Sequence, residues 1–178
     1  MQTDSQTLPN KLTLPKLPKN VTFLPQGKSK WRQGLYTLVN PAKYLGDPNR
    51  IVFRSSWEQE AFRICDLNPN VLEWGSEILI IPYLIPNFKN PSGRPREKRY
   101  IPDLYVVTQE SNGTVSRKVI EIKPYKQTLR SKSRNPNTKM YEDYTYAINQ
   151  LKWQAAQSWC DARGIQFIVT TERELFGK

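Results

Sequence analysis

Two runs of aliphatic and β-branched residues, Ile101–Gln109 and Val115–Ile122, lie on either side of Asn112-Gly113, and this feature constrains the fold most. Each run is of strand length and alternates across the two faces of a sheet, so the pair reads as a β-hairpin. Its register decides what the chain can do. A two-residue Asn-Gly loop pairs Ser111 with Thr114 and sets Asp103 opposite Ile122. A three-residue loop, Ser111-Asn112-Gly113, pairs Glu110 with Thr114 and sets Asp103 opposite Glu121. Three-residue loops end in a left-handed residue that suits glycine, and Gly113 stands there, so the second register is expected.

In that register the chemistry-bearing side chains share one face. In Val119-Ile120-Glu121-Ile122-Lys123 the acid and the amine are two residues apart on a strand and point the same way, while Ile120 and Ile122 point into the opposite side. Asp103, following Ile101-Pro102, joins them. Paired carboxylates repel each other, and a divalent cation relieves that repulsion, polarises a phosphodiester and activates water. Lys123 is placed to orient the water or to stabilise charge on phosphate oxygens. A lone Glu-x-Lys is commonly a surface ion pair; the whole pattern of Pro-Asp, strand, hairpin and Glu-Ile-Lys is more specific.

The rest of the chain alternates between helices and strands. Residues 1–26 carry Leu-Pro pairs and read as an extended arm, with a single domain over 27–178. A helix is expected over Trp57–Leu67, with Ser55 as N-cap and Asn68-Pro69 as its stop. Glu58 falls within the apolar arc of that helix; it is either a third acid of the site or the partner of Ser55 in a capping box. A strand lies within Val71–Ile85, and residues 86–100 read as a basic loop with Arg94, Arg96, Lys98 and Arg99. A second basic loop, 124–139, carries Lys126, Arg130, Lys132, Arg134 and Lys139. A long helix is expected from Tyr141 to Arg163, closed by Gly164, with Tyr141, Tyr144, Ile148, Leu151, Ala155 and Trp159 as its apolar stripe. Lys152 borders that stripe, where it either reaches a phosphate or simply snorkels to solvent. A last strand over Ile165–Thr170 completes an α/β domain: a mixed central sheet flanked by helices.

Composition narrows the chemistry. Lys and Arg number 27 against 16 Asp and Glu, and the net charge of +11 favours a polyanionic partner such as DNA, RNA or an acidic membrane surface. The absence of histidine excludes Ser-His-Asp and Cys-His catalysis and imidazole-bound zinc. Cys65 and Cys160 sit in helix-like segments and read as reduced core thiols. Hydrolysis must then rest on carboxylates, Lys, Tyr or hydroxyls with a hard cation such as Mg2+, for which Mn2+ substitutes. No apolar run is long enough to span a membrane, and no signal-peptide core is present.

The order of helix with Glu58, strand, Pro-Asp strand, Glu-x-Lys strand and helix resembles the PD-(D/E)xK nuclease superfamily, whose core is restriction-endonuclease-like. Within it the sequence is most similar to the head-completion nucleases of T4-like tailed phages. That similarity rests on Asn40-Pro41-x-Lys43-Tyr44-x-Gly46-Asp47, Phe53-Arg54-Ser55-Ser56-Trp57-Glu58 and Asp66-x-Asn68-Pro69-x-Val71-x-x-Trp74. It continues through Arg99-Tyr100-Ile101-Pro102-Asp103, Glu121-Ile122-Lys123-Pro124 and Lys152-Trp153-x-Ala155-Ala156 to Thr171-Glu172, and so spans about residues 27–176. The resemblance implies a metal-dependent DNA endonuclease that processes packaged DNA ends so that neck and tail can attach. It implies metal ligation by Glu58, Asp103, Glu121 and the Ile122 carbonyl, with Lys123 assisting the water. The basic loops and Lys152 would hold DNA with little sequence preference. Portal or neck proteins are the implied partners, and the host cytoplasm or the virion the implied location; no small-molecule cofactor is expected. Two alternatives stand beside this reading: a head-completion structural protein whose catalysis is dispensable, and a transposon end-cleaving endonuclease subunit.

Overall fold

The computed structural model describes residues 22–23, 33–87 and 93–176. The Pro-rich segment 1–26 lies outside these residues except for Thr22–Phe23 (β1), whose backbone pairs antiparallel with Gly34–Leu35 (β2); β2 in turn pairs with Val52–Phe53 (β3).

The first long helix, α1, spans Ser56–Leu67. Ser55 is its N-cap as expected: the hydroxyl accepts the Glu58 amide hydrogen bond at 3.1 Å. Ala61, Phe62 and Cys65 bury one face of α1 against Tyr36, Phe53 and Trp74. Asp66, fully buried at the end of the helix, pins the segment before it. Its carboxylate accepts from the Tyr36 hydroxyl (3.0 Å) and from the amides of Val39 (2.7 Å) and Asn40 (2.9 Å). A buried carboxylate is tolerable only when its lone pairs are occupied in this way.

The central sheet has the order β4-β7-β8-β9, formed by Val71–Ser76, Leu104–Gln109, Val115–Ile122 and Gln166–Thr170. β7 runs antiparallel to both β4 and β8, whereas β9 is parallel to β8, so the sheet is mixed. A parallel neighbour needs a crossover, and α2, Pro136–Asp161, supplies it. Leu104, Val106, Ile120 and Ile122 face α1. On the opposite side, Ile148, Leu151, Ala155, Ala156 and Trp159 of α2 share a core with Phe167 of β9 and with Ile81, Tyr83, Ile85 and Tyr100. Gly164, at φ 63°, turns the chain from α2 into β9, and a short helix, α3 (Glu172–Phe176), follows.

Three segments depart from the sequence expectation. Val71–Ile85 holds two strands, not one: β4 and Ile81–Ile85 (β5) lie in different sheets. Between them Glu77 takes φ 54°, a left-handed conformation that costs a non-glycine residue roughly 1–2 kcal/mol. An ion pair from Arg54 to the Glu77 carboxylate and a Glu77 N–H bond to the Asp103 carbonyl hold it there. The last third of the expected loop 86–100 is a strand, Arg96–Tyr100 (β6), paired antiparallel to β5. Its charged run Arg96-Glu97-Lys98-Arg99 is exposed, the composition of a protected sheet edge, and that composition disguised it as loop. Finally, α2 starts at Pro136 rather than Tyr141. Asn135 caps it through amide bonds from Asn137 and Thr138, and Pro136 occupies the first turn, where its missing N–H costs nothing. At about 1.5 Å per residue the 26-residue helix is roughly 39 Å long, and its first turns overrun the sheet. Tyr141 and Tyr144, expected in the buried stripe, are therefore 71% and 52% exposed.

Candidate active site

The hairpin adopts the three-residue loop. Glu110 N–H donates to the Thr114 carbonyl at 2.8 Å, and Gly113 has φ 82°. The pairs Leu104–Ile120 through Gln109–Val115 extend this register along both strands, and the next step brings Asp103 to Glu121. Pro102, fully buried, has no N–H for the ladder, so regular pairing ends where Asp103 begins. Asp103 Oδ2 accepts instead from the Ile122 amide at 2.6 Å. The two-residue alternative would have pointed this carboxylate the other way.

Glu121 is 2% exposed, and both its oxygens are engaged. Lys123 Nζ lies 2.6 Å from Oε1, and the Tyr100 hydroxyl donates to Oε2 at 2.7 Å. Burial, and after it the neighbouring Glu121 charge, pushes Asp103 well above the usual carboxylate range; Lys123 and the Ile122 amide pull the other way. Burial alone would lower Lys123, but Glu121 and then Asp103 more than reverse it, so its ammonium is held in the charged form. Burial and the Glu121 charge also push the Tyr100 hydroxyl far up, so it serves as a hydrogen-bond donor.

Lys152 reaches this cluster from α2. Its Nζ stands 5.7 Å from the centre of the Tyr100 ring, and burial, then the Lys123 charge, lowers it. No ion pair holds Lys152 among the described residues, which leaves a cation beside the acids available for an incoming anion.

Glu58 takes the capping arrangement. Its Oε1 accepts from the Ser55 hydroxyl and its Oε2 from the Arg54 amide, both at 2.9 Å. It adds to the repulsion felt by Asp103. Among the described residues no trio of Asp, Glu or Cys side chains is gathered closely enough to hold an ion, so the structure brings Asp103, Glu121 and Lys123 together and leaves Glu58 at the margin.

The basic residues are spread over two surfaces. Arg94 and, on β6, Arg96, Lys98 and Arg99 are exposed. Lys126 pairs with Glu142 at 2.7 Å, Arg130 lies over the Tyr146 ring, and Lys132 and Arg134 face solvent.

Sequence reasoning missed Tyr100 as a member of the site. Tyr100 immediately precedes Ile101-Pro102-Asp103, but only the β5–β6 pairing, Ile81 opposite Tyr100, directs its ring to the α2 side where Glu121 lies.

A mixed sheet whose adjacent strands present Asp103 and then Glu121-Ile122-Lys123 is the arrangement of a PD-(D/E)xK-type nuclease. Residues 68–172 match the family model described as TnsA-like endonuclease N terminal, and the chain belongs to that family. The match takes in Asp103, Glu121 and Lys123 and leaves α1, with Glu58, outside. The chain is also 39% identical over 149 residues to the head completion nuclease of Enterobacteria phage T4, covering 78% of this chain and 90% of that protein.

Proposed function

We propose that the protein is a metal-dependent DNA endonuclease that cuts phosphodiester bonds with little sequence preference, and that it acts on packaged DNA ends during phage head completion. The observation that carries the chemistry is the pairing of half-buried Asp103 with buried Glu121, with the Lys123 ammonium against the latter. Hard oxygen donors that repel each other in a dry site suit Mg2+ or Mn2+. Asp103 and Glu121 would hold the ion, with the Ile122 carbonyl as a further ligand; Glu58 would join them only by leaving its Ser55 and Arg54 partners. A divalent cation there supplies a hard Lewis acid that offsets the paired negative charge and polarises a phosphodiester.

The chain's own groups do the rest. Lys123, kept charged by its neighbours, orients the attacking water or stabilises charge on the phosphate oxygens. Lys152 binds a neighbouring phosphate. Tyr100 fixes the rotamer of Glu121, and Ile122 N–H fixes that of Asp103. The basic strand β6 and the segment before α2 follow the backbone of DNA, which carries no base information. The head-completion role is supported by the name of the T4 relative, and portal or neck proteins in the host cytoplasm or the virion are its natural partners.

Plasmid nicking tests this reading. Conversion of supercoiled to open-circular DNA should require Mg2+ or Mn2+ and should vanish in Asp103→Ala and Lys123→Ala. Full nicking by Asp103→Ala would reject the assigned centre.

A further inference from the structure

The exposed large side chains Leu129 and Tyr141 line one groove, where the first turns of α2 overrun the sheet. This groove, of about 400 Å³, lies between α2 and the segment that follows the 3₁₀ turn Tyr125–Thr128. Its walls carry Lys126, Leu129, Arg130, Lys132, Tyr141 and Tyr146. Lys126, the first residue of its walls, stands three residues after Lys123, a backbone separation of at most about 11 Å, which keeps this end of the groove near the catalytic cluster.

The charges in its walls are unequal. Among the described residues Glu142 is the one acid of the lining, and it is already neutralised by Lys126 at 2.7 Å and bonded by the Ser131 hydroxyl at 2.5 Å. Arg130 and Lys132 make no ion pair among the described residues. Arg130 lies 5.8 Å from the centre of the Tyr146 ring, within cation–π reach at the wall. Two cations that make no close ion pair among the described residues, beside a 71% exposed tyrosine, make a poor resting place for an apolar helix. They suit a polyanion that offers flat rings to stack. A duplex keeps its base faces covered, and only an unpaired strand presents them.

We propose that this groove binds single-stranded DNA next to the cleavage site, with a base stacked on Tyr141 and the flanking phosphates on Arg130 and Lys132. The inference rests on the endonuclease reading for the identity of the polyanion and extends it to substrate class: DNA with an unpaired segment, such as an overhang or a gap. A cut site so placed would favour irregular ends over uniform duplex.

The test is fluorescence anisotropy with the full chain in EDTA, so that no cleavage occurs. Three probes of equal length are compared: oligothymidylate, an abasic phosphodiester strand and a blunt duplex. Oligothymidylate should bind about tenfold tighter than the abasic strand, the size of one stacked base. Tyr141→Leu should abolish that difference, and Tyr141→Phe should keep it. Arg130→Ala should weaken both strands alike. Equal affinity for thymidylate and abasic strands, or a preference that survives Tyr141→Leu, overturns the proposal, and so does blunt duplex binding as tightly as thymidylate. Nicking assays on the same preparations separate the two readings. Metal-dependent nicking without base stacking removes the groove and spares the nuclease. Stacking without nicking does the reverse.

Discussion

The Tyr100 hydroxyl donates to Glu121 Oε2 at 2.7 Å from a ring that is itself buried. The bond reaches from β6, outside the central sheet, to the carboxylate on β8, so the small hairpin sets the geometry of the acid that the larger sheet carries. Tyr100→Phe keeps the ring and removes the donor. Among the described residues Glu121 would then retain Lys123 alone as a partner, at a cost of about 1–3 kcal/mol in stability. Metal-dependent nicking should fall roughly tenfold or more, as happens when a ligand loses its orienting partner. Thermal unfolding and nicking rates measure the two effects; unchanged nicking would show that Glu121 needs no such support.

Asp103 gives a pH signature. Its carboxyl is pushed up to about 7 in the folded protein, against an ordinary value of 3.8. Between those two values the folded state holds a proton that the unfolded state has lost. Its contribution to stability therefore falls as pH rises from about 4 to about 7 and is flat outside that window. Asp103→Asn cannot titrate, and its side-chain oxygen can still accept from Ile122 N–H. In metal-free buffer the variant should gain stability relative to wild type as pH climbs through the window. Urea unfolding at the two ends measures it, and a wild-type–variant difference independent of pH would contradict the assignment.

Lys152 is predicted to contribute binding rather than folding. Lys152→Gln should leave the unfolding midpoint near wild type, weaken DNA binding, and lower the slope of log affinity against log salt by about 1, the signature of one lost phosphate contact. A slope identical to wild type would return Lys152 to the role of a snorkelling edge residue.

Gly113 tests the hairpin. A Cβ there meets nothing within 4 Å, so substitution carries only the penalty of φ 82°. Gly113→Ala should cost about 1 kcal/mol by urea unfolding and leave nicking intact. Loss of nicking with stability preserved would mean that the loop, and not the strands, sets the register.

Asp66 is predicted to be purely architectural. Asp66→Ala leaves the Tyr36 hydroxyl and two backbone amides without their acceptor, which should cost about 3 kcal/mol or more. A variant of near wild-type stability would show that segment 36–40 is held by other contacts.

Whatever obeys local rules was legible in the sequence. Gly113 and the two-residue alternation of β7 and β8 sufficed to place Asp103 opposite Glu121, and Ser55 announced the start of α1. Asn135-Pro136 carried an equally local signal for α2, but the basic run around it obscured the start. Tertiary structure decided what depends on neighbours distant in the chain. Arg96–Tyr100 is a strand because β5 lies beside it, and nothing in Arg-Glu-Lys-Arg-Tyr favours that pairing by itself. Glu58 is compatible in sequence with a cap or a ligand, and the proximity of the Arg54 amide and the Ser55 hydroxyl settles its carboxylate on the cap. Tyr100 joins Glu121 only after the β5–β6 hairpin packs under α2. The physical reason is common to all three: periodicity and capping fix the direction of a side chain within its own element, whereas its partner is fixed by burial among elements that meet only in the folded chain.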